Sequence, residues 1–153
     1  MGDYDFWTSG LNVKDQAGIS QLLHFGWGAE ATGKFYNKDL SGWFQLAIPT
    51  PTQIDNDDHV ELRDAFIYIK REGNAEITRV DLWDGPNQIY IDQNRVRKIN
   101  QQYGKQWIEI DLPDIEINFG IVISMLVKFP KTVGPKWENA KITFYGAGIR
   151  FNE

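Results

Sequence analysis

The chain has 153 residues, a formal net charge of −5, no cysteine, and 14% aromatic residues including six Trp. The missing cysteines exclude disulfides, thiolate metal sites and a Cys nucleophile. The acidic balance, without clustered Lys and Arg, argues against a nucleic-acid partner.

At this length one domain over residues 1–153 is expected, large enough to bury a core without metal or disulfide staples. Met1-Gly2-Asp3-Tyr4-Asp5 lacks the basic and apolar regions of a signal peptide, and Phe6 stands where a myristoylation motif needs Ser or Thr. No apolar run approaches the roughly 18 residues of a membrane span, so a soluble, cytoplasmic protein with no membrane partner is the expectation. The short basic cluster Arg95-Val96-Arg97-Lys98 lacks interleaved aromatics and reads as a solvated loop face.

In chain order, Phe6 to Val13 reads as a first strand interrupted at Gly10, where a bulge is expected. Ile19 to Lys34 reads as a strand in which Trp27 stands between the flexible points Gly26 and Gly28. Trp43 to Ile48 alternates Phe44, Leu46 and Ile48 with Trp43, Gln45 and Ala47, which puts the two sets on opposite faces. Val60 to Ile69 is apolar on both faces near its end, the pattern of a central strand, and Gly73-Asn74 marks a hairpin after it.

Glu76 to Trp83 follows and is closed by Asp84-Gly85-Pro86-Asn87, a turn signal. Gln88 to Asp92 is a short strand, and Asn94 to Lys105 reads as a long loop. Trp107 to Leu112 alternates strictly, Gly120 to Phe129 is the most apolar segment and reads as central, and Ile142 to Phe151 closes the chain. Short strands with turns every 8 to 15 residues and no helical pattern predict an all-β fold, an antiparallel jelly-roll-like sandwich of about eight strands. The alternative is a closed eight-stranded barrel.

Four motifs carry a resemblance: F-G-W-G (Phe25 to Gly28), W-F-Q-L-A-I-P-T-P-T (Trp43 to Thr52), V-D-L-W-D-G (Val80 to Gly85) and G-I-V-I-S (Gly120 to Ser124). Together, over roughly residues 6–151, they resemble a family of small all-β domains of bacteria and fungi with no established activity. The resemblance implies an all-β fold and transfers no catalytic residue, so function has to be argued from a site.

One binding face suggests itself. Along Glu76 to Asp84, Val80 and Leu82 point one way while Arg79, Asp81 and Trp83 point the other. An indole beside an Arg and a carboxylate suits a ring-shaped or sugar ligand, the indole stacking on its apolar face and the charged pair bonding its hydroxyls. Trp43 and Gln45 on a neighbouring strand and Trp27 are expected to join them, and Asp64, Phe66 and Tyr68 alternate in the same way.

The loop Asp55-Asn56-Asp57-Asp58-His59 concentrates oxygen ligands, with Asp55, Asp57 and Asp58 as candidate Ca²⁺ ligands, although it lacks the EF-hand spacing and a plain acidic turn, its side chains bonding their own backbone, is the preferred reading. No other cofactor is indicated. His24, Tyr68 and Asp81 are the candidates for acid–base work, Asp81 could pair with Asp64 or Glu109, and no G-x-S-x-G elbow accompanies Ser124.

These residues point first to a non-catalytic binding module for a small organic ligand or carbohydrate. The second possibility is a cofactor-independent β-barrel cyclase, isomerase or hydratase with an apolar pocket. The third is a structural protein whose exposed strands drive homo-oligomerisation.

Overall fold

The computed structural model describes residues 3–34, 38–49, 53–54, 58–59, 61–92, 104–131 and 140–152, excepting the side chains of 3–4, 53–54, 58–59, 104, 114 and 152. Two antiparallel sheets carry nearly all of it. The first orders its strands as β11 (Gly104–Glu116), β8 (Glu61–Glu72), β13 (Lys141–Asn152), β4 (Gly28–Gly33) and β3 (Ser20–Phe25). β1 (Asp3–Ser9) pairs with the second half of β13, along the same edge that β4 occupies over the first half. The second sheet runs β10 (Asn87–Asp92), β9 (Glu76–Asp84), β12 (Ile121–Phe129), β5 (Leu40–Ile48) and β2 (Lys14–Asp15). Two short strands, β6 (Gln53–Ile54) and β7 (Asp58–His59), pair separately.

The winding is that of a jelly roll. Strands β4-β13-β8-β11 oppose β5-β12-β9-β10, and among these eight only β9 and β10 follow each other within one sheet. No described strand pairing joins the two sheets, so the barrel alternative is not the architecture. β1, β2 and β3 extend the eight-stranded frame at its margins.

The core lies between the sheets. Ile67 and Ile69 of β8, Ile142, Phe144 and Ile149 of β13, and Ile108 and Ile110 of β11 meet Phe44 and Leu46 of β5, Val80 and Leu82 of β9, and Ile123 and Met125 of β12. Phe44 stacks across the gap on Phe144 with ring centroids 5.4 Å apart. Each buried side chain of this kind contributes about 1.5–3 kcal/mol. The period-two alternation is what makes this layer possible, because every second residue of each strand is delivered to it.

Several local expectations are corrected. The segment 19–34 is a two-strand hairpin, β3 to β4, with Gly26 and Trp27 as its two-residue loop and Phe25 paired with Gly28. Gly10 opens a single 3₁₀ turn, Gly10–Asn12, capped by the Ser9 side chain, rather than a bulge. A Cβ at Gly10 would stand 1.8 Å from the Phe144 carbonyl oxygen and one at Gly28 2.3 Å from the same atom, so only glycine lets both segments close on β13. Gly73-Asn74 turns a corner between sheets rather than a hairpin, with Gly73 at φ 63°, since β8 and β9 lie in different layers.

No helix among the described residues is long and apolar enough to cross a membrane.

Candidate functional site

The outer face of the second sheet gathers five of the residues expected at a site. β12 lies between β5 and β9, and its register sets three parallel rows. Leu126 sits between Trp43 and Arg79, Ser124 between Gln45 and Asp81, and Val122 between Ala47 and Trp83. Because alternate residues share a face, all nine point away from the core.

Gln88 of β10 stands opposite Trp83, and Gln16, just after β2, accepts a 2.9 Å hydrogen bond from the Gln45 amide. A cavity of about 400 Å³ opens over these rows, lined among the described residues by Trp43, Gln45, Arg79, Asp81, Trp83 and Ser124 with Gln16 and Gln88 at its margins. That volume falls within the roughly 300–1,000 Å³ of small-molecule sites.

Asp81 is the fixed point of the cleft. It is 2% exposed, and Arg79 closes on it in a fork, Nε donating to Oδ1 at 2.6 Å and a terminal guanidinium nitrogen to Oδ2 at 2.9 Å. Gln88 Nε2 donates to Oδ2 at 2.8 Å. Charge-assisted, two-pronged pairs of this kind are geometrically specific. The hydrogen bond to Asp81 raises the Arg79 pKa above its ordinary value. Its planar head also lies over the Trp43 ring, 5.6 Å from the centroid.

Ser124 is the residue that sequence reasoning does not single out for this face. It is 2% exposed, lines the cavity, and its Oγ has no hydrogen-bond partner among the described residues. A buried hydroxyl left unpaired costs about 1–3 kcal/mol. The signal in the sequence is a lone polar side chain inside Gly120 to Phe129, the most apolar strand.

The other expected residues lie elsewhere. Trp27 is not in the cleft: it occupies the β3–β4 loop on the outer face of the first sheet, stacked on Phe25 with centroids 5.0 Å apart. His24 is exposed on β3, and Tyr68 sits on β8. Asp64 and Glu109 are on the first sheet too, so Asp81 forms no carboxylate pair with either. Of the candidate Ca²⁺ ligands, Asp55 and Asp57 lie outside the described residues, as does the side chain of Asp58.

The first sheet's outer face has a character of its own. A belt of rings crosses it from Phe25 and Trp27 through Tyr145, Tyr68 and Trp107 to Phe66 and Trp7, each within 4.9–6.0 Å of the next. Trp27, Trp107 and Trp7 are 51%, 54% and 44% exposed. Gly148 provides the seat for Trp7, since a Cβ there would come within 2.6 Å of the indole.

Lys105 lies over Tyr145 and Arg150 over Phe66. Below the belt, Asp64, Glu109 and Asp111 bring carboxylate oxygens within 4.8 Å of one another. Burial first, then the charges of Glu109 and Asp111, push the Asp64 pKa above its ordinary value.

Compared with protein-family models, with curated proteins and with solved structures, the chain matches none. The functional reading therefore rests on the geometry of the two faces.

Proposed function

We propose that this protein is a non-catalytic binding module that holds a small organic ligand or carbohydrate in the cleft of its second sheet. The observation that carries this reading is the unpaired, buried Ser124 hydroxyl in the floor of a cavity walled by Trp43 and Trp83. A ligand hydroxyl that moves a lining side chain aside would satisfy Ser124, whose Oγ is otherwise covered, and the indoles supply flat apolar surface beside it. Catalysis is not what the groups favour. Asp81 already accepts three hydrogen bonds from Arg79 and Gln88, and no described histidine lines the cavity to activate Ser124.

Intrinsic tryptophan fluorescence, titrated with sugars and aromatic metabolites, tests the reading. One ligand class is expected to shift the emission of the native chain, and Trp83→Ala is expected to abolish saturable binding while the unfolding midpoint moves little, because Trp83 is half-buried on an outer face. Undiminished binding in Trp83→Ala would place the ligand elsewhere.

The aromatic belt favours a second reading, self-association through the first sheet. Lys70, Lys105 and Lys141 lie to one side of the belt, with Glu30 and Glu72 among them. Asp64, Glu109, Asp111 and Asp5 lie to the other with Arg150. Two copies packed belt to belt about an axis along it would bury the indoles and set the acidic side against the basic one. In sedimentation, the native chain is then a dimer whose association weakens with salt, and Trp107→Glu is a monomer. A native monomer at every concentration excludes this reading.

A further inference from the structure

We infer that the ligand of the cleft is a neutral linear oligosaccharide lying across the strands, an inference that rests on the binding reading above. The polar floor is a line, not a spot. Gln45, Ser124 and Asp81 occupy one cross-strand row; at one end Gln16, beside Trp43, meets the Gln45 amide, and at the other Gln88, opposite Trp83, donates to Asp81, so the line runs diagonally over the strands. With neighbouring strands roughly 4.8 Å apart, this line spans about 19 Å from one sheet margin to the other. Such a line suits several linked rings better than one.

The chemistry of the line points to hydroxyls. Three of its members are glutamine amides and one is the Ser124 hydroxyl, groups that donate and accept equally well, as sugar hydroxyls do. The line also carries no spare charge. Arg79 and Asp81, the charged residues among the described lining, close on each other through two hydrogen bonds. The pair is neutral as a whole, so a carboxylate or phosphate bonding the remaining Arg79 N–H groups also meets the Asp81 charge, and drawing Arg79 away would leave that buried charge unpaired, penalties a neutral ligand avoids.

The indoles complete the selection. Trp43 stands in the row on one side of Ser124 and Trp83 in the row on the other, two strands apart. Placed diagonally, they can each stack on the C–H face of a different ring of one chain. A single pyranose reaches only one of them.

The test is calorimetric titration of the full chain with gluco-, xylo- and manno-oligosaccharides of one to six rings, and with oligouronates of matching length. One neutral series is expected to gain about tenfold or more in affinity from one ring to three and then level off. The oligouronates should bind about tenfold weaker or less, and Gln16→Ala should weaken the trisaccharide but not the monosaccharide. Equal affinity for one ring and three, or tighter binding of oligouronates, overturns the inference while leaving the cleft as a ligand site. A small aromatic metabolite that binds where every sugar fails does the same. If neither sugars nor metabolites bind in the cleft, the binding reading itself falls with it.

Discussion

Asp84→Ala is expected to cost about 2–4 kcal/mol of folding stability, a large loss for one polar side chain. Asp84 ends β9 and is 2% exposed. Its carboxylate accepts hydrogen bonds from three consecutive backbone N–H groups, Asn118 at 2.9 Å, Phe119 at 2.8 Å and Gly120 at 3.0 Å. Bonds to a charged acceptor are worth about 1.5–3 kcal/mol each, though three that share one carboxylate do not add fully.

The turn that Asp84 holds carries the chain from β11 in the first sheet to β12 in the second, with Gly120 at φ 143°, a conformation favouring glycine. Urea denaturation reads the loss directly. Asp84→Asn should recover only part of it, since an amide keeps one acceptor oxygen and sets a donor against the N–H groups. A loss below about 1 kcal/mol in Asp84→Ala would show that water replaces the carboxylate adequately. The consequence extends to the cleft, because Ser124 lies only four residues past Gly120 on the strand this turn aims.

Much of the second sheet's face is legible in the amino-acid sequence. Alternation alone assigns Trp43 and Gln45, and likewise Arg79, Asp81 and Trp83, to one side of their strands, because a strand's period of two is a local property. What alternation cannot provide is strand order. Trp43 and Trp83 are expected on adjacent strands, yet β12 separates β5 from β9, and it is this inserted strand that delivers Ser124 between Gln45 and Asp81.

The same limit hides the aromatic belt. Trp7, Phe66, Trp107 and Tyr145 come from β1, β8, β11 and β13, four segments distant in sequence that only long-range pairing brings side by side. Trp27 departs from expectation for a different reason. Gly26 and Gly28 read as flexible points within a strand, whereas the pairing of Phe25 with Gly28 makes Gly26 and Trp27 a tight loop on the opposite sheet. Gly73 misleads in the converse way, its turn chemistry being correct but its two strands belonging to different layers.

Two substitutions in the cleft should lower binding while moving stability in opposite directions. Asp81→Ala removes the acceptor of three hydrogen bonds and releases both Arg79 and Gln88 from their fixed positions. Truncating one partner of a buried, hydrogen-bonded charge pair costs about 2–5 kcal/mol where the remaining charge stays buried. The Arg79 side chain is 30% exposed and can turn toward water, so the folding penalty falls nearer about 1–2 kcal/mol while affinity drops about a hundredfold with the loss of the ordered wall.

Ser124→Ala deletes a hydroxyl that has no partner among the described residues. Its removal should leave the unfolding free energy unchanged or raise it by about 1 kcal/mol, and still lower affinity about tenfold. A hydroxyl kept for packing would behave differently: its loss would destabilise the fold and spare the ligand. Thermal unfolding and titration on the same two variants therefore separate a residue held for the ligand from one held for the sheet. A more stable Ser124→Ala that binds less well would be the trade expected where a site is kept at the expense of the fold.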